Sequence, residues 1–314
     1  MILTVTMNPA IDKIYIVENF QLGEVHRPSK MIASAGGKGL NVTRVVKLMG
    51  EDVTATGLLG GSNGSYIDKK VQELKVKSKF IKIDGETRIC INITDNINKL
   101  STEILEKGPT ISSDEADNFV TKFSQLIKDV SVITISGSLP KGLPTNFYSL
   151  LIEEAKKYNT KVLLDTSSLP LLEGIKSKPY IIKPNCDEIK DIYNIDINND
   201  EKLIEMINFF KDKGIELPII SRGKEGAIAG LFDGIYKIIT PIVQTINTVG
   251  SGDSFIAGCA VGIERGLSEI DILKMGAACG TANTQYIQTG YVESKIVTDY
   301  FNQIKIYKIK DYSK

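Results

Sequence analysis

The chain has 314 residues, 42% of them apolar and 24% charged, with 38 basic side chains set against 38 acidic ones. That balance is usual for a globular enzyme, and it leaves no global field to recruit nucleic acid or an anionic membrane. No apolar run approaches the ~20 residues needed to cross a bilayer, and the first ten residues lack the basic start and long apolar stretch of a secretion signal. The four cysteines, Cys90, Cys186, Cys259 and Cys279, are scattered without metal-like spacing. They read as reduced thiols in a cytoplasmic protein.

In chain order, the apolar run 2–6 predicts a buried strand. Residues 11–34 alternate apolar and polar side chains, the pattern of a strand with one wet face or one face meant for a partner. A glycine-rich entry leads to a helix at 38–49, a strand at 53–57 and a helix at 66–74. The second alternating stretch is 88–105, as in Arg88-Ile-Cys-Ile-Asn-Ile-Thr94. Helices then follow at 113–128, 146–158 and 201–213, between continuous Val/Ile/Leu-rich strands at 132–136, 161–165, 180–182 and 217–221. Beyond Thr240 the pattern is helical, at 253–265, 269–286 and 295–304. Alternating strands and helices imply an α/β fold with a mostly parallel sheet covered on both faces. The two alternating stretches are expected to leave it and form a small sheet of their own.

The sharpest local signal is Asn247-Thr-Val-Gly-Ser-Gly-Asp-Ser-Phe255, a glycine turn opening a helix with Asp253 in its first turn. Such a turn gathers backbone N–H groups where the helix dipole also favours negative charge, which suits a phosphoryl group in transit. A carboxylate there can accept the proton of an attacking hydroxyl; an ordinary turn with Asp253 as a capping residue would look the same. Ala35-Gly-Gly-Lys-Gly-Leu-Asn41 also enters a helix, with Lys38 as a charge for a phosphate and Asn41 as a hydrogen-bonding group for a sugar hydroxyl. Neither GxxxxGK[ST] nor GxGxxG occurs, so a P-loop and a dinucleotide site are unsupported. In Ile182-Lys-Pro-Asn-Cys-Asp-Glu-Ile189, Asn185 and Glu188 form a capping-box pair, or alternatively stand near nucleotide phosphates and metal-bound water. Ser136-Gly-Ser-Leu-Pro140 ends a predicted strand, where open parallel sheets build their sites. His26 is the only histidine, which excludes a histidine triad or a multi-histidine metal site.

Taken together, these segments resemble the ribokinase/PfkB family of sugar kinases over nearly the whole chain. The family's first signature is similar to 35–46 and its second to 248–253, with Asn247 where many members have Asp and Ser251 for the commoner Ala. The resemblance implies one kinase domain over 1–314, a three-layer α/β/α sandwich, and a β-sheet lid contributed by about 11–34 and 88–105. It implies ATP and Mg2+ as cofactors, Asp253 as base, and Gly250, Ser251, Gly252 and Asp253 as an N–H anion hole. Asp12, Gly36, Gly37, Asn41 and Ser138 would bind the sugar. Arg88 would grip a phosphate already on it, with Lys38 and Arg27 as further candidates, Arg27 reaching across a lid-mediated homodimer. Lys183, Asn185 and Glu188 would serve the ATP phosphates and magnesium, Ser221 and Gly223 the nucleotide, and Asn283 the adenine pocket. Segments 36–44, 85–90, 102–109, 136–143 and 288–292 are most similar to the branches acting on ketohexose phosphates, with D-tagatose 6-phosphate the expected acceptor and fructose 1-phosphate the alternative. A non-catalytic sugar-binding protein on the same fold is the reading from another class.

Overall fold

The computed structural model describes residues 1–312 apart from 196 and 198. Among the described residues, eleven strands form one large sheet. Its main path runs Lys305–Asp311, Gly234–Ile239, Ala227–Gly230, Leu217–Ser221, Ile181–Ile182, Lys161–Asp165, Val132–Ser136, Ile2–Thr6, Val53–Gly60, Lys77–Ser78. From Leu217–Ser221 to Lys77–Ser78 neighbours are parallel; the three strands beyond Leu217–Ser221 are antiparallel.

Strand side chains alternate between faces, so Ile2 and Val132 join one apolar cluster while Leu3 and Ile133 join the other. Helices Lys38–Leu48, Ser251–Glu264 and Glu269–Asn283 bury Val42, Val45, Ile256 and Leu273 in the first cluster. Helices Ser113–Leu126, Phe147–Lys156 and Asp200–Asp212 bury Phe119, Leu151 and Phe210 in the second. The result is three layers, helix–sheet–helix. Among the described residues no helix is long and apolar enough to cross a membrane.

Ile2–Thr6 is the pivot of the strand order. The chain moves from it to Val53–Gly60 on one side and returns to Val132–Ser136 on the other. Such a reversal opens a crevice at the carboxyl ends of the strands. Over this end stands a second sheet of four strands, Lys30–Gly36, Ala10–Val17, Arg88–Asp95 and Leu100–Leu105. Its central pair, Ala10–Val17 and Arg88–Asp95, runs parallel and sets Ala10 against Arg88 and Asp12 against Cys90.

Two expectations need correction. The chain after Thr240 is not wholly helical, because Lys305–Asp311 returns as an edge strand beside Gly234–Ile239. The hairpin Ala227–Gly230/Gly234–Ile239 adds two strands that the alternation of apolar runs does not predict.

Candidate active site

Two helices begin at the crevice, and both have glycine N-caps without a side-chain cap bond. Gly37 precedes Lys38–Leu48 and Gly250 precedes Ser251–Glu264. The first turn of a helix has donors with no intrahelical acceptor, so each entry offers N–H groups to an anion. Gly250 has φ 80°, and a Cβ on it would lie 2.5 Å from Thr289 Cγ2; backbone and space both demand glycine. Of the expected anion-hole donors, Ser251 N–H is taken by Thr248 O at 3.2 Å, and the Ser251 hydroxyl donates to Gly280 O at 3.2 Å. The first-turn donors of Gly252 and Asp253 fit that role better.

Asp253 is buried, and one carboxylate oxygen accepts from Asn41 Nδ2 at 2.8 Å. Burial raises its pKa from 3.8 to about 6; Lys38 opposes the rise, Asp165 adds to it, and Asn41 and Lys183 oppose it. A carboxylate tuned in this way is a competent base near neutral pH. Asn41, expected on the sugar, is thus held between Asp253 and Arg44, whose Nη1 donates to its Oδ1 at 3.2 Å.

The charges around the base form a chain. Lys183 is buried with its ammonium 3.4 Å from Asp165 Oδ1, and a Cβ on Gly252 would stand 3.1 Å from that nitrogen. Lys38, 40% exposed, lies 3.9 Å from Asp165 and 3.6 Å from Glu188. Asp165 first, then Asp253 and Glu188, raise the pKa of Lys38 against the effect of burial, so it stays a cation. The sequence alone does not single out Asp165. Its one signal is its place at the carboxyl end of a parallel strand, and the structure leaves both its oxygens buried without a hydrogen bond.

Asn185 and Glu188 do form the capping box: Asn185 Oδ1 accepts from Glu188 N at 2.8 Å, and Glu188 Oε2 accepts from Asn185 N at 2.9 Å. Glu188 Oε1 faces Lys38. Among the described residues no three His, Cys, Asp or Glu side chains cluster as a metal cage. A Mg2+ carried on phosphate oxygens and water needs only one carboxylate nearby, and Glu188 fits that requirement. Ser221 bridges to Asn185, bringing the Ser221–Gly223 turn to the same edge. Asn283 has another task than the expected adenine contact. It is fully buried, its Oδ1 accepting from Gly290 N, Tyr291 N and Ser254 Oγ, and its Nδ2 donating to Val249 O. It staples the glycine turn to the 289–291 loop. A cleft of about 330 Å3 nearby is lined by Gln244, Ile246, Gln285 and Tyr286.

On the lid side, Asp12 Oδ2 accepts from Gly37 N at 3.3 Å, and a Cβ on Gly36 would collide with the Asp12 carboxylate. Burial raises the Asp12 pKa despite the Gly37 bond and the charges of Arg44 and Arg88. Arg88 is fixed by backbone oxygens, its Nε and Nη2 donating to Asn8 O and its Nη1 to Glu106 O. One N–H on each Nη remains for a ligand. Arg88 borders a second cleft of about 330 Å3 with Asn8, Leu105, Glu106, Lys107, Ser138, Leu139 and Lys141. Ser138 accepts from Asn8 Nδ2 at 3.3 Å. Arg27 is not in this cluster; it lies exposed in the lid loop between Ala10–Val17 and Lys30–Gly36.

A buried acid at a helix entry, two lysines, and an arginine-bordered cleft beneath the small sheet suit phosphoryl transfer, and residues 5–296 match the profile described as pfkB family carbohydrate kinase. The chain belongs to that family. It is 41% identical to tagatose-6-phosphate kinase of Staphylococcus epidermidis, the match covering 98% of this chain and all of the relative. Among solved structures it is similar to phosphofructokinase-2 from Escherichia coli in complex with fructose-6-phosphate (TM-score 0.87, 19% identity, 96% of this chain and 98% of that one). It is also similar to a protein of Thermotoga maritima described as a possible 1-phosphofructokinase (TM-score 0.89, 24% identity, 99% and 100%). At those identities the structural likenesses speak for the fold.

Proposed function

We propose that this sugar kinase transfers the γ-phosphoryl group of ATP to O1 of D-tagatose 6-phosphate, giving D-tagatose 1,6-bisphosphate. The observation that carries the choice of substrate is the full-length likeness to the staphylococcal tagatose-6-phosphate kinase. The geometry supports the chemistry. Asp253 accepts the proton of the acceptor hydroxyl, and the first-turn N–H groups beside it, with Lys38 and Lys183, stabilise charge on the moving phosphoryl group. Asp165 keeps both lysines in place. Glu188 would hold a Mg2+ brought in with the nucleotide, which would supply charge neutralisation. The cleft at Gln285 and Tyr286 is the candidate site for the base of the nucleotide.

At the opposite end, Arg88 and Ser138, with Lys107 and Lys141 on the same cleft, suit the phosphate already on the sugar. Asp12 and the Gly36–Gly37 backbone suit the hydroxyls between. The lid pairs with a second copy. Leu22 (92% exposed), with Leu100 (64%) and Ile104 (53%) on one face of their strand, leaves apolar surface that a four-stranded sheet cannot bury by itself, and pairing would bring the partner's copy of the Arg27 loop toward the phosphate end. Four free cysteines fit the cytoplasm.

The test is kcat/KM for D-tagatose 6-phosphate and for fructose 1-phosphate at one ATP concentration, followed by ADP release. A higher value for fructose 1-phosphate overturns the choice of substrate, since both sugars offer a primary hydroxyl opposite the phosphate. No ADP release with either overturns the kinase reading.

A further inference from the structure

Arg44 sits on the same helix as Asn41, is 5% exposed, and makes no direct contact with the base. Its Nη1 donates to Asn41 Oδ1 at 3.2 Å and to Thr289 O at 2.7 Å, and its Nη2 donates to Ala35 O. An arginine is donor-only and an ionised carboxylate acceptor-only. The Asn41 amide lies between the two, so only one of its two orientations satisfies both neighbours, oxygen to Arg44 and nitrogen to Asp253. The reversed amide would set an oxygen against the carboxylate and an N–H against the guanidinium. Thr289 also packs on Gly250, and Ala35 is the last residue but one of the lid strand Lys30–Gly36. Arg44 therefore joins the lid base, the glycine turn and the partner of the base.

We propose that Arg44 is a positioning residue for phosphoryl transfer: by holding the Asn41 oxygen it commits the amide nitrogen to Asp253, fixing one carboxylate oxygen and leaving the other for the acceptor hydroxyl. This rests on the reading of Asp253 as base. Its buried charge is balanced at longer range by Asp12, so the guanidinium stays in place without an ion pair to the base itself.

A double-mutant cycle tests it, with Arg44→Gln, Asn41→Ala, their combination and Asp253→Asn, each read for kcat, KM for ATP and Tm. Arg44→Gln is expected to lower kcat ~10–100-fold, the range of a hydrogen bond to a charged group, with KM for ATP within about threefold. In the Asn41→Ala background the same change should cost less than about threefold, because the amide it orients is gone. Arg44→Lys returns one donor and should recover part of kcat; if Arg44→Gln does not fold, Arg44→Lys cycled against Asn41→Ala reads the same coupling. Equal losses in both backgrounds overturn the proposal, as does a lowered Tm with kcat intact. Asp253→Asn separates the two readings. If it keeps turnover, the base assignment fails; if it is inactive while Arg44 and Asn41 act additively, only the positioning role fails.

Discussion

Asp165→Asn is the most informative change in the site, because Asp165 acts on stability and on the base through one charge. Its carboxylate lies 3.4 Å from the buried Lys183 ammonium. At that distance the attraction is about 5 kcal/mol for an effective dielectric of ~20. Removing one partner of a buried pair costs about 3–5 kcal/mol, because the remaining charge is stranded. Asparagine keeps a dipole toward Lys183, so about 3 kcal/mol is expected. The half-exposed Lys38 adds little, being partly screened by solvent. At roughly 2–3 °C per kcal/mol for a long chain, Tm should fall by about 6–9 °C. The kinetic effect has a fixed sign. Asp165 is a like charge that raises the Asp253 pKa, which stands at about 6. A base works only when ionised, so wild-type kcat is lost as pH falls through about 6. Without Asp165 that acid limb should move to lower pH. Thermal melts and kcat between pH 5 and 8 give both readings. A Tm within about 1 °C of wild type, with a limb that stays put or moves up, would refute the charge chain.

Three further outcomes follow from the same geometry. Asp253→Asn keeps the shape of the acceptor facing Asn41 but cannot take a proton; kcat should fall ~10²–10⁴-fold with KM for ATP within a few-fold, and retention of a tenth of wild-type kcat counts against the base. Arg88→Ala should raise KM for the phosphosugar at least ~tenfold, the worth of a charge-assisted contact, while KM for ATP holds; equal rises in both would point to a folding or closure defect. Sedimentation should find a dimer at micromolar concentration, and Leu100→Lys with Ile104→Lys, two exposed residues on one face of the strand, should yield monomers; a wild-type monomer removes any role for Arg27 in a neighbouring site.

The legible parts of the fold are those with local chemistry. The capping box of Asn185 and Glu188 can be read from spacing, and so can the glycine entries at Gly37 and Gly250, because each satisfies donors within a few residues. The continuous apolar strands at 132–136, 161–165 and 217–221 appear where expected because they are buried on both faces. What escaped depends on distant partners. Lys305–Asp311 has an exposed, lysine-rich sequence, and only its pairing with Gly234–Ile239 makes it a strand. Asp233-Gly234, beside the hairpin turn, was a usable signal. Nothing in the sequence singles out Arg44, whose guanidinium is held by the Thr289 and Ala35 carbonyls, far apart in sequence. The family resemblance puts Asn283 at the adenine pocket, but its amide is consumed by four partners within the fold.

The two lysines beside the base are not equivalent, and the difference bears on when the base is strongest. Lys183 is buried against Asp165, with Gly252 leaving just enough room for its ammonium, so its position is set before any ligand arrives. Lys38 is 40% exposed and spans Asp165 and Glu188 at 3.9 and 3.6 Å, both longer than a hydrogen bond. It is the looser of the two, and a phosphoryl oxygen can compete for it. Lys38 is also the charge that most lowers the Asp253 pKa. On the proposed reading of Asp253 as base, a phosphoryl group that drew Lys38 toward itself would relieve that lowering and strengthen the base. The same ammonium thus lowers the Asp253 pKa in the empty site and, on that reading, would give up part of its hold once a donor phosphate is seated. A lysine buried as deeply as Lys183 could not make that exchange, since leaving Asp165 would strand two charges.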